Sequence, residues 1–187
     1  MKRRFCFTLV EILVVTALVA LLGAIGFAGY GYAMGAARRS ATESLIKQIE
    51  AALENFKIKK GYYPSSSSEY RLITFTSSGG TLTGVSFDGG STTLSGDAFK
   101  VFIKPLDQEK LKKSLNGTTL VDSWGGQIRY RYPGRSNPAG FDLIAPGPDG
   151  QFGVSPVSAP ADPPATETVY KSGTDWACDD IANFMNK

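Results

Sequence analysis

Histidine is absent from this 187-residue chain, and only two residues are cysteines. Histidine is the side chain most used as a general base and metal ligand near neutral pH, so its absence argues against a Ser or Cys triad. Cys6 and Cys178 lie too far apart for a CxxC zinc or redox unit and indicate no disulfide framework. A glycine-rich phosphate loop at a strand-to-helix junction is also missing. We therefore do not expect an enzyme, and no catalytic residue is predicted.

The charge balance gives little reason to expect a nucleic-acid partner. The formal net charge is +3, and Lys2, Arg3 and Arg4 place three positive charges together at the start of the chain. Because the remainder is close to neutral, no basic patch for nucleic acid is predicted.

Charge is entirely absent from Ile12 to Ala37, a run of 26 residues. As a helix this run is about 39 Å long, which exceeds the roughly 30 Å hydrocarbon core of a bilayer. Basic residues precede the run, so the positive-inside rule places the N-terminus in the cytoplasm and the chain after Arg38 on the far side. The run therefore predicts one membrane-spanning helix.

A cleaved secretory signal is the alternative interpretation of this run, with small residues such as Ala33 and Ala36 near its end. The run is longer than the usual apolar region of about 7–15 residues, and Glu11 interrupts its start. Both features favour the membrane span.

Proline is absent from Met1 to Lys60, and Gly61 is a helix stop signal. After Arg39 the apolar residues recur at spacings of three and four, which defines one helix face. The predicted face consists of Ala41, Leu45, Ile49, Ala52, Leu53 and Phe56. We predict one long helix, embedded in a membrane in its first half and packed on a domain in its second.

From Tyr62 onward the composition shifts to Gly, Ser, Thr and aromatic residues. Turn signals separate candidate strands at Tyr70–Thr76, Thr81–Phe87 and Gln127–Tyr132. Lys104–Leu115 is a candidate short helix with Pro105 in its first turn, and the Pro-rich Ser155–Ala165 predicts an extended loop. The expected fold class is α+β, a long helix packed on a small antiparallel sheet.

Glu11 is a candidate functional residue, because an ionised carboxylate at membrane depth costs about 2.5–3.5 kcal/mol and needs a compensating partner. In one interpretation it is an interfacial acid beside Lys2 to Arg4. In the other, a cut just before Phe7 creates an α-amino group that pairs with Glu11 of a neighbouring copy and fixes the stagger between two helices.

The stretch KRRFCFTLVEILVV resembles the class III signal of type IV pilins and type II secretion pseudopilins. The resemblance implies the pilin fold, with a leader at residues 1–6, a transmembrane and polymerisation helix at 7–37, its amphipathic continuation at 38–60 and a periplasmic β domain at 61–187. It further implies a cut between Cys6 and Phe7, methylation of Phe7 and an assembly role for Glu11. Cys6 stands where the family usually has Gly.

Later segments resemble the major pseudopilin in the same order. They are GYYP at Gly61, DSWGGQIRYRYPG at Asp122, FDLIAPGPDG at Phe141 and DWACDDIANF at Asp175. In that family the GPDG loop and the DD pair bind calcium, an ion that prefers oxygen ligands. The resemblance thus implies calcium ligands at Asp149, Asp179 and Asp180, with the carbonyls of Pro146 and Gln151. The Asp pair could instead cap a final short helix.

The resemblance implies a filament subunit in the bacterial inner membrane, with its C-terminal domain in the periplasm. Its expected partners are further copies of itself, minor pseudopilins, a prepilin peptidase and an inner-membrane assembly platform. The alternatives are a type IV pilus subunit for adhesion or motility, a monomeric membrane-anchored binding module, and a periplasmic hydrolase. The glycines of the apolar helix fit either close helix packing or a segment that stretches in the filament.

Overall fold

The computed structural model describes residues 8–64, 70–87, 93–150, 152 and 181–183, without the side chains of 25–29. It divides into two compact units, Met1–Arg38 and Arg39–Lys187. Helix α1, Leu9–Lys60, contributes to both units and contains 52 residues.

Local sequence signals explain both ends of α1. Thr8 precedes the helix as its N-cap and accepts from the Glu11 N–H. Gly61 follows the helix with a φ of 85°, a conformation that favours glycine. The Gly61 N–H donates to the Lys57 carbonyl at 2.7 Å, which satisfies a backbone group at the helix end. The prediction of one helix that ends before Gly61 is confirmed.

The second half of α1 packs on the antiparallel sheets through the predicted apolar face, with corrections at three positions. Ala41 is exposed, whereas Thr42 and Ile46, which the spacing analysis left out, are buried. Thr42 is buried because its hydroxyl has partners in a loop of the β domain, donating to Ser123 Oγ at 3.0 Å and accepting from the Ser123 N–H at 3.2 Å. Thr42 is polar and so does not contribute to the apolar periodicity, which is why its burial was not predicted.

The described residues of the β domain form nine strands in two antiparallel sheets. The strands are β1 Arg71–Leu72, β2 Thr74–Ser78, β3 Thr81–Ser86, β4 Thr93–Ser95, β5 Leu115–Asn116, β6 Thr119–Leu120, β7 Arg129–Arg131, β8 Asp142–Ala145 and β9 Ile181–Ala182. One sheet has the order β1-β7-β8-β9 and the other the order β4-β3-β2-β6-β5. The α+β class with a helix packed on antiparallel sheets is confirmed.

The first predicted strand, Tyr70–Thr76, is two strands in different sheets. The break falls at the fully buried Ile73, whose carbonyl accepts from the Leu120 N–H at 2.9 Å. Ile73 joins β1 to β2, so the chain passes from one sheet to the other there. The other two predicted strands are present, shortened at their ends, as β3 and β7.

The predicted helix at Lys104–Leu115 was wrong in its boundaries. The structure has α2 at Gly96–Ile103 and α3 at Gln108–Lys113, so Pro105 lies between two helices. Helix α3 begins after Asp107, whose carboxylate accepts from the N–H groups of Glu109 and Lys110 at 3.1 and 3.3 Å. This N-cap sets the start of α3 and removes any need for Pro105 in the first turn.

Aromatic contacts in the core connect α2 with strand β7 and with the segment before β8. Phe102 of α2 meets Phe87 edge-on at 5.4 Å between ring centroids, and Phe87 meets Tyr130 of β7 at 4.9 Å. Tyr130 in turn lies 5.9 Å from Phe141. All four rings are almost inaccessible to solvent, as are Ile49, Leu53 and Phe56 of α1. Burial of such rings is the main stabilising contribution to a small domain.

In the part of the chain that the structure describes, no helix has both the length and the apolar character that a membrane crossing requires.

Candidate functional site

Glu11 lies at the start of α1 and forms a reciprocal capping box with Thr8. The Glu11 N–H donates to Thr8 Oγ1 at 3.2 Å, and the Thr8 N–H donates to Glu11 Oε2 at 3.4 Å. These bonds satisfy N–H groups that would otherwise lack a partner at the helix start. This role was not predicted, although the T-x-x-E spacing is the sequence signature of a capping box. Cys6 and Phe7, the predicted cleavage positions, lie outside the described residues.

The first part of α1, on both sides of Glu11, exposes apolar side chains in every direction around the helix. Ten large apolar residues between Leu9 and Leu22 are each more than half exposed: Leu9, Val10, Ile12, Leu13, Val14, Val15, Leu18, Val19, Leu21 and Leu22. A helix that is apolar all round belongs in a membrane or in the interior of an assembly. Exposed apolar surface of this extent is typical of an interaction site.

The GPDG segment forms a turn directly after β8. Gly147 has a φ of 72°, and the Gly150 N–H donates to the Gly147 carbonyl at 3.3 Å. Pro146 is buried, whereas Asp149 is exposed. Pro146 has a backbone carbonyl oxygen and Asp149 has carboxylate oxygens, and calcium prefers oxygen ligands of both kinds.

Asp122 of the DSWGG segment holds this turn in place. Its Oδ1 accepts from the N–H groups of Trp124 and Gly126 at 2.9 and 2.7 Å, and its Oδ2 accepts from Gly147 at 3.2 Å. Burial raises the pKa of the Asp122 carboxyl, while these N–H groups act in the opposite direction. A Cβ at Gly126 would overlap the ring of Pro146, so the two segments require glycine where they touch. The structure therefore joins the DSWGG segment to the GPDG turn, a contact that was not predicted.

The C-terminal element attaches to the same strand. In the β8–β9 register Ala145 pairs with Ile181, and Ala145 immediately precedes Pro146. The Asn183 side chain forms two hydrogen bonds with the β8 region. Its Oδ1 accepts from the Leu143 N–H at 2.9 Å, and its Nδ2 donates to the Phe141 carbonyl at 3.1 Å. The GPDG turn and the segment that carries the DD pair thus connect to paired residues of adjacent strands.

Three predicted calcium positions, Gln151, Asp179 and Asp180, lie outside the described residues. Across residues 8–150, with their gaps, and 181–183, no group of three or more His, Cys, Asp or Glu side chains is arranged to hold a metal ion. Among the described residues, support for a calcium site therefore comes from the carboxylate of Asp149 and the carbonyl oxygen of Pro146.

A second buried carboxylate, Asp142, was not predicted. It is fully buried at the start of β8, and its Oδ2 accepts from the Tyr70 hydroxyl at 2.9 Å. Oδ2 also accepts from the N–H groups of Arg135 and Ser136 at 2.6 and 2.9 Å, and Oδ1 accepts from Asn137 at 3.0 Å. The sequence signal that could have predicted this role is the acidic Asp142 at the start of the otherwise apolar strand β8. Its role is to hold the β7–β8 connection.

No family model, curated protein sequence or solved structure matches this chain.

Proposed function

We propose that this chain is a structural subunit of a type II secretion pseudopilus, which polymerises through α1 and supports protein export across the outer membrane. The observation that carries the proposal is the start of α1, where the single acid Glu11 precedes an apolar segment exposed on all sides. Such a segment needs a lipid or protein environment, and identical helices packed together provide one in a filament.

The proposed assembly begins with a precursor in the inner membrane, its C-terminal domain in the periplasm. A prepilin peptidase cuts before Phe7, and the new terminal amine is methylated and carries a positive charge. In the filament this ammonium pairs with Glu11 of a neighbouring copy, which offsets the cost of placing either charge among apolar helices. Minor pseudopilins and an inner-membrane assembly platform complete the proposed machine.

Calcium is the proposed ligand of the C-terminal part of the β domain. The carboxylates of Asp149, Asp179 and Asp180 with the carbonyls of Pro146 and Gln151 would hold it. When bound, calcium would supply positive charge that neutralises the carboxylates held by these residues. The attachment of both segments to paired residues of β8 and β9, with Asp122 holding the turn, supports this proposal.

The N-terminus of the chain recovered from its native membrane tests the proposed processing. Intact and peptide mass spectrometry are expected to find a chain that begins at Phe7 and carries one added methyl group. A chain that begins at Met1, or one cut near Ala33 to Ala36, contradicts the pathway. An uncut chain that begins at Met1 would indicate a membrane anchor. A cut near Ala33 to Ala36 would indicate a secreted domain.

Removal of calcium is expected to lower the melting temperature of the full chain in detergent. At one hundred times its dissociation constant a ligand adds about 2.7 kcal/mol, which corresponds to roughly 5–11 °C in a chain of this size. Asp149→Ala is expected to erase the response to a chelator. Asp97→Ala is the matched control, because Asp97 is an exposed acid that pairs with Lys100 at 3.1 Å. A parent chain that melts at the same temperature with and without chelator refutes the calcium site.

A further inference from the structure

Two tyrosines and an arginine stand near the end of the apolar segment of α1. Tyr30 is 65 % exposed, Tyr32 is 84 % exposed, and Arg38 is also exposed. Residues two positions apart on a helix point about 200° apart around its axis, so the two rings face nearly opposite directions. A single protein partner docks on one side of a helix, whereas lipid surrounds the helix of an unassembled subunit. The arrangement therefore favours a lipid environment for both rings.

The distance along the helix matches the thickness of a bilayer. From Leu9 to Tyr30 the helix rises by roughly 32 Å, close to the roughly 30 Å hydrocarbon core. Tyrosine rings are enriched where hydrocarbon gives way to headgroups, because the ring is apolar and the hydroxyl is polar. If the helix enters hydrocarbon near Leu9, Tyr30 and Tyr32 lie at the opposite interface.

Arg38 is positioned to reach the phosphate layer beyond that interface. Side chains on a helix tilt toward its N-terminus, and a long arginine side chain can therefore extend back toward the tyrosines. Among the described residues no hydrogen bond or ion pair involves Arg38. The adjacent Arg39 differs, since its Nε pairs with Glu43 Oε1 at 3.2 Å. A guanidinium matches the geometry of a phosphate group with two parallel hydrogen bonds.

We propose that Tyr30, Tyr32 and Arg38 form an interfacial anchor that contacts phospholipid headgroups, with Arg38 binding the lipid phosphate. The proposal rests on the membrane insertion in the proposed function. It places the end of the hydrocarbon-embedded segment near Tyr30, whereas the charge pattern alone placed it at Ala37. The anchor holds the unassembled subunit at a fixed depth.

Spin-label depth measurements on the full chain test the position of the interface. Ala20→Cys, Ala33→Cys and Ala37→Cys are introduced one at a time in a Cys6→Ser, Cys178→Ser background, and each labelled chain is reconstituted in vesicles of phosphatidylcholine and phosphatidylglycerol. The label at 20 is expected in hydrocarbon, the label at 33 among headgroups and the label at 37 in water. Labels at 20 and 37 both in hydrocarbon would overturn the anchor and leave membrane insertion intact. A label at 20 in water would overturn insertion and the anchor together.

A comparison of neighbouring arginines tests the phosphate contact. Arg38→Gln is expected to move the label at 33 by about half a helical turn, or ~3 Å, while Arg39→Gln leaves its depth unchanged. In vesicles of digalactosyldiacylglycerol, which lacks phosphate, the difference between Arg38→Gln and the parent is expected to vanish. Equal effects of the two substitutions, or a difference that persists without phosphate, refute phosphate binding by Arg38.

Discussion

Glu11→Gln is expected to abolish filament assembly without disturbing the β domain. Glutamine at the third helical position still completes a capping box with Thr8, so the start of α1 is preserved. The substitution removes only the negative charge, which leaves the α-amino group of a neighbouring copy unpaired among apolar helices. At about 2.5–3.5 kcal/mol for one such charge, each subunit contact weakens by roughly 60- to 300-fold. Electron microscopy and sedimentation of the assembled fraction measure the loss.

Thr8→Ala is the reciprocal variant, because it breaks the capping box and keeps the Glu11 carboxylate. Loss of an N-cap costs about 0.5–2 kcal/mol of helix stability, and filaments are expected to persist. Glu109→Gln controls for removal of an acid, since Glu109 is exposed and pairs with Lys112 at 3.4 Å. Mass spectrometry of each variant establishes that Phe7 is the first residue. If Thr8→Ala loses filaments and Glu11→Gln keeps them, Glu11 acts as a helix cap and the charge-pairing mechanism is refuted.

Asp142→Ala is expected to lower the free energy of unfolding by about 3–5 kcal/mol. The substitution removes the acceptor of four donors, the Tyr70 hydroxyl and the N–H groups of Arg135, Ser136 and Asn137. Each buried donor left without a partner costs about 1–3 kcal/mol, and partial access of water to the loop limits the sum. Against a total stability of about 5–15 kcal/mol this is a large fraction.

Urea denaturation followed by tryptophan fluorescence measures this loss, with an unchanged m-value indicating an effect on stability alone. Asp142→Asn keeps the shape but turns one acceptor into a donor, so a smaller loss of about 1–3 kcal/mol is expected. Asp97→Ala, at an exposed position, is expected to stay within about 0.5 kcal/mol of the parent. An Asp142→Ala chain as stable as the parent would show that these hydrogen bonds contribute nothing net.

The α1 helix shows how far local sequence signals reach. Its end at Lys60 followed from Gly61 and from the absence of proline, and most of its buried face followed from apolar spacing. Thr42 was missed because its burial depends on Ser123, 81 residues away in sequence. Similarly, α2 was not predicted, because its sequence has no helix-start signal as strong as Pro105. The position of α2 depends on the packing of Phe99 and Phe102 in the core.

The extent of α1, the charge-free segment and the α+β class could all be predicted from local sequence, because helix formation and apolar periodicity depend on neighbours within a few residues. The tertiary structure alone decided that Asp122 holds the GPDG turn and that Asp142 anchors the β7–β8 connection. It also decided that the chain changes sheets at Ile73. These features join residues that are distant in sequence or depend on how strands pair in space, and the local pattern of residues does not encode such contacts.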